Sequence, residues 1–442
     1  MVMDDLDQAL LKIGDIGVGR QVFSQYARAA ALCHQLVTCS HQHGDMDLTA
    51  PDRILVEDFF PPNKSLRIAV VTETWPPEVN GVAITLSKLV QGLCERQHAV
   101  QLIRPRQDKA EQALEQTAMS EVLTRGFPIP RYPQLKLGLP SKQALIRNWS
   151  LRRPDVVHIA TEGPLGWSAL QAARRLRLPV TSDFRTNFHS YSKHYGVGWF
   201  SKPIMAYLRK FHNQAACTMV PTHTLRQELR TKGFERLRVV ARGVDTTLLT
   251  PLRRSQDLRQ AWGADDQTVV LLSAGRLAAE KNLEQVVRTY HAMQAAGRRV
   301  RLVFAGDGPY LTMLRHQCPD AIFLGMCPHD RLASVYASAD VFLFPSLTET
   351  FGNVTLEALA CGTPVLAFNH AAAAELIQSG RNGWLVEVER EADFCRLALE
   401  ITQDMSKLQA MRNETRQSVE RLDWAQIVQQ VEQIFLEAMH QV

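Results

Sequence analysis

Short apolar runs recur along most of this chain, separated by stretches with helical periodicity. Leu66-Arg-Ile-Ala-Val-Val71 opens the series. An amphipathic stretch, Val82 to Arg96, follows, and then a second run at Ala99-Val-Gln-Leu-Ile103. A run of four to six apolar residues, a helix and another such run make a βαβ unit with parallel strands, the first step of a doubly wound sheet. The pattern continues through Val156–Ile159, Pro179–Ser182, Cys217–Val220 and Leu237–Val240. After a charged connection at Thr246–Asp266 it restarts at Thr268–Ala274, then runs through Val300–Ala305, Ala321–Leu324, Val341–Phe344, Pro364–Ala367 and Gly383–Val386. Two consecutive series predict two Rossmann-like α/β domains facing a cleft, and ligands in such sheets lie beyond the carboxyl ends of the strands.

The expected organisation is an N-terminal extension over 1–65, a first domain over 66–248 and a second over 249–423. A final segment, 424–442, carries a helix from Trp424 to Met439 that returns across the joint. Within the extension, helical periodicity spans Asp5 to Leu36, and the piece from Ser40 to Asp47 reads as a loop. Asp45-Met-Asp47 is a DxD outside any strand–loop context and reads as solvated. Cys33, His34, Cys39 and His41 have no common zinc-ligand spacing.

The strongest chemical signal lies after two strands of the second series. Asp340-Val-Phe-Leu-Phe-Pro345 reads as a buried strand, and Val354 to Ala360 as the start of a helix, with Glu349 and Glu357 flanking a glycine between them. A strand, a glycine loop and a helix N-terminus form an anion site, because first-turn amides lack partners within the helix and the macrodipole favours phosphate. Arg276 and Lys281 follow another apolar strand and could bring two positive charges to the same phosphates. Read alone, either carboxylate could equally be a structural first-turn acid.

Charge is uneven. The segment 66–248 holds 27 Lys/Arg against 13 Asp/Glu, whereas 249–442 holds 18 against 23. A basic half of this kind suits an anionic partner or a solvated face. Anionic lipid is the favoured partner, since no zinc finger, RNP or helix-turn-helix pattern supports nucleic acid. The stripe of Ile204, Leu208 and Phe211 after Tyr195-Gly-Val-Gly-Trp-Phe200 suits either a core or an interfacial segment. The eight scattered cysteines lack a CxxC pair, the N-terminus is acidic, and no apolar stretch nears membrane-spanning length. These features suggest a cytoplasmic protein, peripheral on the cytoplasmic membrane face if lipid is its partner.

Four motifs stand in order: Asn80-Gly81-Val, Gly275-Arg-Leu-x-x-Glu-Lys281, Gly306-Asp-Gly-Pro309 and the Glu349…Glu357 pair. Together they resemble the retaining nucleotide-sugar glycosyltransferases of family 4, which have the GT-B fold, over about Leu66 to Met439. The resemblance is nearest to bacterial enzymes that move mannose or glucose from GDP-mannose or a UDP-hexose to glycolipid or glycan acceptors. It implies catalysis without a metal or other cofactor. By resemblance Glu349 holds the donor sugar and Glu357 the ribose. Arg276, Lys281 and the backbone of Phe351, Gly352, Asn353, Val354 and Thr355 hold the diphosphate, with Gly81 approaching from the first domain. The backbone near Gly325-Met326 lies where the nucleobase is read. Family members carry a histidine where this chain has Arg185, within Ser182-Asp-Phe-Arg-Thr-Asn-Phe-His189. Three readings follow: Arg185 makes the donor contact, His189 replaces it, or activity is weak. A non-catalytic sugar-nucleotide binder and a nucleic-acid-binding α/β protein are the alternatives.

Overall fold

The computed structural model describes residues 65–441 apart from 79–80, 109, 130–131, 186–200 and 350. The extension and its Asp45, Asp47 and Cys/His positions lie outside the described residues, as do Asn80, His189 and Tyr195–Phe200.

Lys64–Val442 forms one compact unit built on two open parallel sheets. The first joins β1 (Arg67–Val71), β2 (Ala99–Pro105), β3 (Met119–Thr124), β6 (Val156–Ile159), β7 (Val180–Asp183), β8 (Cys217–Val220) and β9 (Leu237–Val239), in the order β3-β2-β1-β6-β7-β8-β9. The second joins β10 (Val269–Ala274), β11 (Val300–Ala305), β12 (Ile322–Phe323), β13 (Val341–Phe344), β14 (Val365–Phe368) and β15 (Gly383–Val386), in the order β12-β11-β10-β13-β14-β15. Helices cover both faces, so the central strands are buried along their whole length, every residue of β10 and β13 included. That double burial is why they read as continuous apolar runs rather than alternating ones.

Each sheet reverses its winding once, between β1 and β6 and between β10 and β13. A crevice opens at the carboxyl ends of such a strand pair because the connections leave in opposite directions.

Two features were not legible as strands. β3 is an edge strand, half-buried throughout. β4 (Gly126–Ile129) and β5 (Tyr132–Gly138) form an antiparallel hairpin containing Pro128 and Pro133. Proline argues against a central strand but is tolerated in a peripheral ribbon.

The Trp424–Met439 helix, capped by Asp423 through the Ala425 amide at 2.9 Å, packs on the first sheet. Val428, Val431, Ile434 and Phe435 share a core with Ile68, Val70, Leu86 and Leu89. Glu432 fixes its position, pairing with Arg96 and accepting from His98 Nε2 at 2.9 Å. His98 Nδ1 accepts the Leu66 amide at 3.1 Å, which places the ring proton on Nε2. The chain between the sheets meets the returning chain where the Val244 amide donates to Leu422 O at 2.8 Å. The six described cysteines are free thiols.

The Ser201–His212 helix decides part of the apolar stripe. Leu208 and Phe211 are buried in the first domain, with Ile204 packed beside them. These three are core residues, not an interfacial face.

Candidate functional site

Both halves of the anion motif meet at the β10/β13 switch point. Ser273 to Leu277, Lys281 and Leu343 to Pro345 line a small cleft there. Lys281, at the end of a one-turn helix over Ala279–Lys281, forms an ion pair with Glu349. The Ser346 hydroxyl lies 2.9 Å from Glu349 Oε1 and 3.1 Å from the Glu280 carbonyl, which also accepts the Leu347 amide at 3.1 Å. Two loops from strands 70 residues apart are thereby tied into one wall. Phe344 lies under the lysine, its ring centre 5.6 Å from Nζ. Arg276 is exposed at the rim.

The Gly306-Asp-Gly-Pro309 turn supports this wall from behind. Leu277 N donates to Asp307 O and Tyr310 N to Leu277 O, each at 2.9 Å. A Cβ on Gly306 would stand 1.9 Å from Gly275 O, so only glycine permits the contact. The motif is structural, and it sets where Arg276 begins.

Glu349 is also held through its backbone. Its amide donates to His370 Nε2 at 3.3 Å. Burial lowers the His370 pKa, against a smaller opposing pull from Glu349, so the ring stays neutral and able to accept. Ala371, next in sequence, is held at φ 51°, and the Ala372 amide donates to Phe351 O at 2.9 Å. A non-glycine residue in that region is strained, and such strain concentrates at functional sites.

The Asn353–Ala360 helix starts at Gly352, whose φ is +93°. The Thr355 amide donates to Gly352 O at 3.0 Å. Thr355 thus closes the first turn on itself. Its hydroxyl is buried without a hydrogen-bond partner among the described residues. The amides of Asn353 and Val354 are the donors left to this turn. Phe351 is buried in the core, which leaves only its backbone to face the loop. Glu357 lies one turn on and accepts from Tyr336 Oη at 3.0 Å. Burial raises its pKa, while His329 and the tyrosine act in the opposite direction. Met326 is 63 % exposed on the neighbouring edge.

The first domain reaches this helix. Gly81 begins the Gly81–Glu95 helix, and a Cβ there would lie 3.7 Å from Asn353 Nδ2. Gly81 and Asn353 thus face each other across the cleft.

Arg185 is placed elsewhere. It pairs with Asp183, its side chain only 9 % exposed, and lines a second pocket with Arg242 and Trp424. None of the residues lining that pocket belongs to the Lys281–Glu349 wall. Asp183, two residues before it, engages the Arg185 guanidinium on the first-domain side of the cleft. His189 lies outside the described residues.

Residues 79–248 match the family described as Glycosyltransferase Family 4, and residues 254–418 match Glycosyl transferases group 1. A GDP-mannose-dependent alpha-mannosyltransferase of Mycobacterium tuberculosis is 34 % identical over 329 residues, 73 % of this chain and 84 % of that protein. The chain belongs to glycosyltransferase family 4. An alpha-monoglucosyldiacylglycerol synthase of Streptococcus pneumoniae is 30 % identical, covering 77 % of this glycosyltransferase and 80 % of the relative. Among solved structures, sucrose-phosphate synthase from Thermosynechococcus elongatus superposes with a TM-score of 0.69 at 18 % identity. That alignment covers 85 % of the glycosyltransferase and all of the other chain, and it shows the GT-B fold.

Ser346, His370 and Tyr336 were not singled out from the sequence of the glycosyltransferase. Each acts by supporting a recognised carboxylate, and a supporting contact between distant segments leaves no local pattern.

Proposed function

We propose that this enzyme transfers a mannosyl group from GDP-mannose to a lipid-linked acceptor, with retention at the anomeric carbon. The observation that carries this reading is the Lys281–Glu349 wall facing the amides of Asn353 and Val354, with Gly81 opposite. Departure of the nucleoside diphosphate builds negative charge on its terminal phosphate. Arg276, Lys281 and the two amides are positioned to offset that charge within a partly closed cleft. Glu349, held by Ser346 and His370, presents its carboxylate to the sugar hydroxyls. Glu357 has one oxygen engaged by Tyr336, and the other meets the ribose. The nucleobase passes Met326.

Mannose and GDP are favoured because the mycobacterial relative is named for them. A lipid acceptor is favoured because the streptococcal relative is named as a diacylglycerol glycoside synthase. No helix among the described residues is long and apolar enough to cross a membrane. Attachment to an anionic membrane surface would use the basic first domain. There Phe127, 58 % exposed, pairs across the hairpin with the exposed Leu137.

The reading is tested by incubating purified protein with GDP-mannose, UDP-glucose and ADP-glucose and following release of the nucleoside diphosphate. Release from GDP-mannose, unchanged by EDTA, is the expected outcome. Turnover only with added Mg²⁺ or Mn²⁺, or only from another donor, would overturn the corresponding part of the proposal.

A further inference from the structure

Arg185 and Arg242 raise a separate question: why two guanidinium groups are buried together. They stand at the carboxyl end of β7 and just beyond β9. Arg185 is 9 % exposed and Arg242 8 %. Arg185 Nη1 and Arg242 Nε are buried with no hydrogen-bond partner among the described residues. Both residues line a pocket together with Trp424 and Ile427 of the returning helix.

Charge does not balance inside this pocket. Asp183 is the one carboxylate among its lining residues. Its Oδ2 is already engaged by Arg185 and by His158 Nε2, the latter at 3.1 Å. Burial alone would raise the Asp183 pKa, but Arg185 and His158 outweigh it and hold the carboxylate well below its usual range. Asp183 is therefore fully ionised and still offsets only one of the two arginines. The second positive charge has no carboxylate of its own among the described residues lining the pocket. Burial, with a further push from Arg185, brings the Arg242 pKa down to about 9. An unpaired buried charge is costly, and a guanidinium desolvated in this way gains most from an oxyanion that accepts its N–H groups.

The remaining walls are mostly apolar, including Leu89, Phe184, Val240 and Val431. Thr85 does not compete for an anion, because its hydroxyl donates to Gly81 O at 2.6 Å.

We infer that this pocket binds a phosphoryl oxyanion between Arg185 and Arg242, at a site separate from the donor diphosphate. Phosphate supplies several acceptors to two fixed sets of N–H donors, and it removes the excess positive charge. The pocket joins a residue of the first sheet, one of the connection between the sheets and one of the returning helix. Its occupancy therefore braces the joint between the domains. The phosphoryl group could be free or carried on a lipid, since the chemistry at the arginines is the same.

The full chain carrying Arg276→Ala, which weakens the donor phosphate site, is titrated with inorganic phosphate while Tm is followed, with sodium chloride matching ionic strength. A ligand at ten times its Kd should raise Tm by roughly 2 °C or more. Adding Arg242→Gln should abolish the rise. An equal rise with and without Arg242→Gln, or none up to saturating phosphate, would overturn the inference. If Arg242→Gln does not fold, Arg185→Gln answers the same question. Dihexanoyl phosphatidic acid below its micelle concentration reads the source. A response several-fold stronger than that to phosphate, and lost with Arg242→Gln, assigns the anion to a lipid. An equal or weaker response that is also lost assigns it to free phosphate.

Discussion

Lys281 and Glu349, 68 positions apart, form an ion pair at the carboxyl ends of the two strands where the second sheet reverses its winding. Until a donor enters, each neutralises the other. In the proposed reaction a diphosphate competes for the lysine, and sugar hydroxyls compete for the carboxylate. Lys281→Ala should lower kcat at least ~100-fold, the usual loss for one group that stabilises developing charge. Steady-state rates with GDP-mannose check this, and unchanged kcat would remove the lysine from the reacting centre.

Glu349→Ala and Glu357→Ala should differ in kind. Without Glu349, Lys281 is free for phosphate, so GDP should bind as tightly as before or tighter while turnover collapses. Without Glu357 the nucleotide itself should weaken, and Tyr336 Oη loses its acceptor. Calorimetric titration with GDP separates the two, and an equal loss of affinity in both variants contradicts the assigned roles.

Gly352→Ala should damage both stability and the phosphate site. The residue sits at φ +93°, and a Cβ there would stand 3.1 Å from the Phe344 ring, which also lies against Lys281. Strain of this kind costs on the order of 1–3 kcal/mol, and its relief would turn the Asn353 and Val354 amides. Chemical denaturation and GDP affinity should both fall.

Glu73 gives the protein a pH-dependent stability. It follows β1, is buried, and accepts the Leu165 amide at 2.9 Å. Burial raises its pKa to about 7; the Leu165 hydrogen bond opposes the shift and Glu162 adds to it. The folded state therefore holds this proton more tightly than the unfolded state, whose carboxyl titrates near 4.5. The contribution is fully present below pH ~4.5 and is lost as pH rises through about 7, a change on the order of 3 kcal/mol. Glu73→Gln, which keeps the acceptor oxygen, should flatten the decline between pH 5 and 8 and raise stability at pH 8. Urea denaturation across that range is the measurement. Identical slopes in both proteins would show that Glu73 is not the titrating group.

Membrane attachment should follow charge and the hairpin. The full chain should co-sediment with vesicles containing anionic lipid and release at high salt, because such attraction is screened within about 10 Å at 0.1 M. Phe127→Glu should reduce the bound fraction. Equal binding to neutral vesicles would argue against the basic domain as the anchor.

The strand, turn and helix that carry the proposed donor site were legible because each of them is local. A buried parallel strand must be a continuous apolar run, as in Val341–Phe344. The glycine that turns the chain into the next helix must sit just before that helix, as Gly352 does. Carboxylates flanking such a turn stand out in any reading. The β4–β5 hairpin was not legible, since its prolines contradict the local strand signal and only its peripheral place excuses them.

What lay beyond the sequence was decided by contacts between distant segments. Arg185 stood where the family's histidine would be, which suggested a donor contact. Only the fold shows Asp183 turning it toward Arg242 and beneath Trp424. The bond from the Thr355 amide to Gly352 O, which closes the first turn, leaves no mark in the sequence. His370 and Ser346 carry no signal of their own and acquire a role from the loops they tie to Glu349. The sequence by itself determined most of the strands, the glycine turn before the Asn353 helix and the family, because periodicity and turn chemistry act over a few residues. The tertiary structure alone decided which charges neutralise each other and which remain unpaired, because that depends on distances and burial set by the whole packed chain.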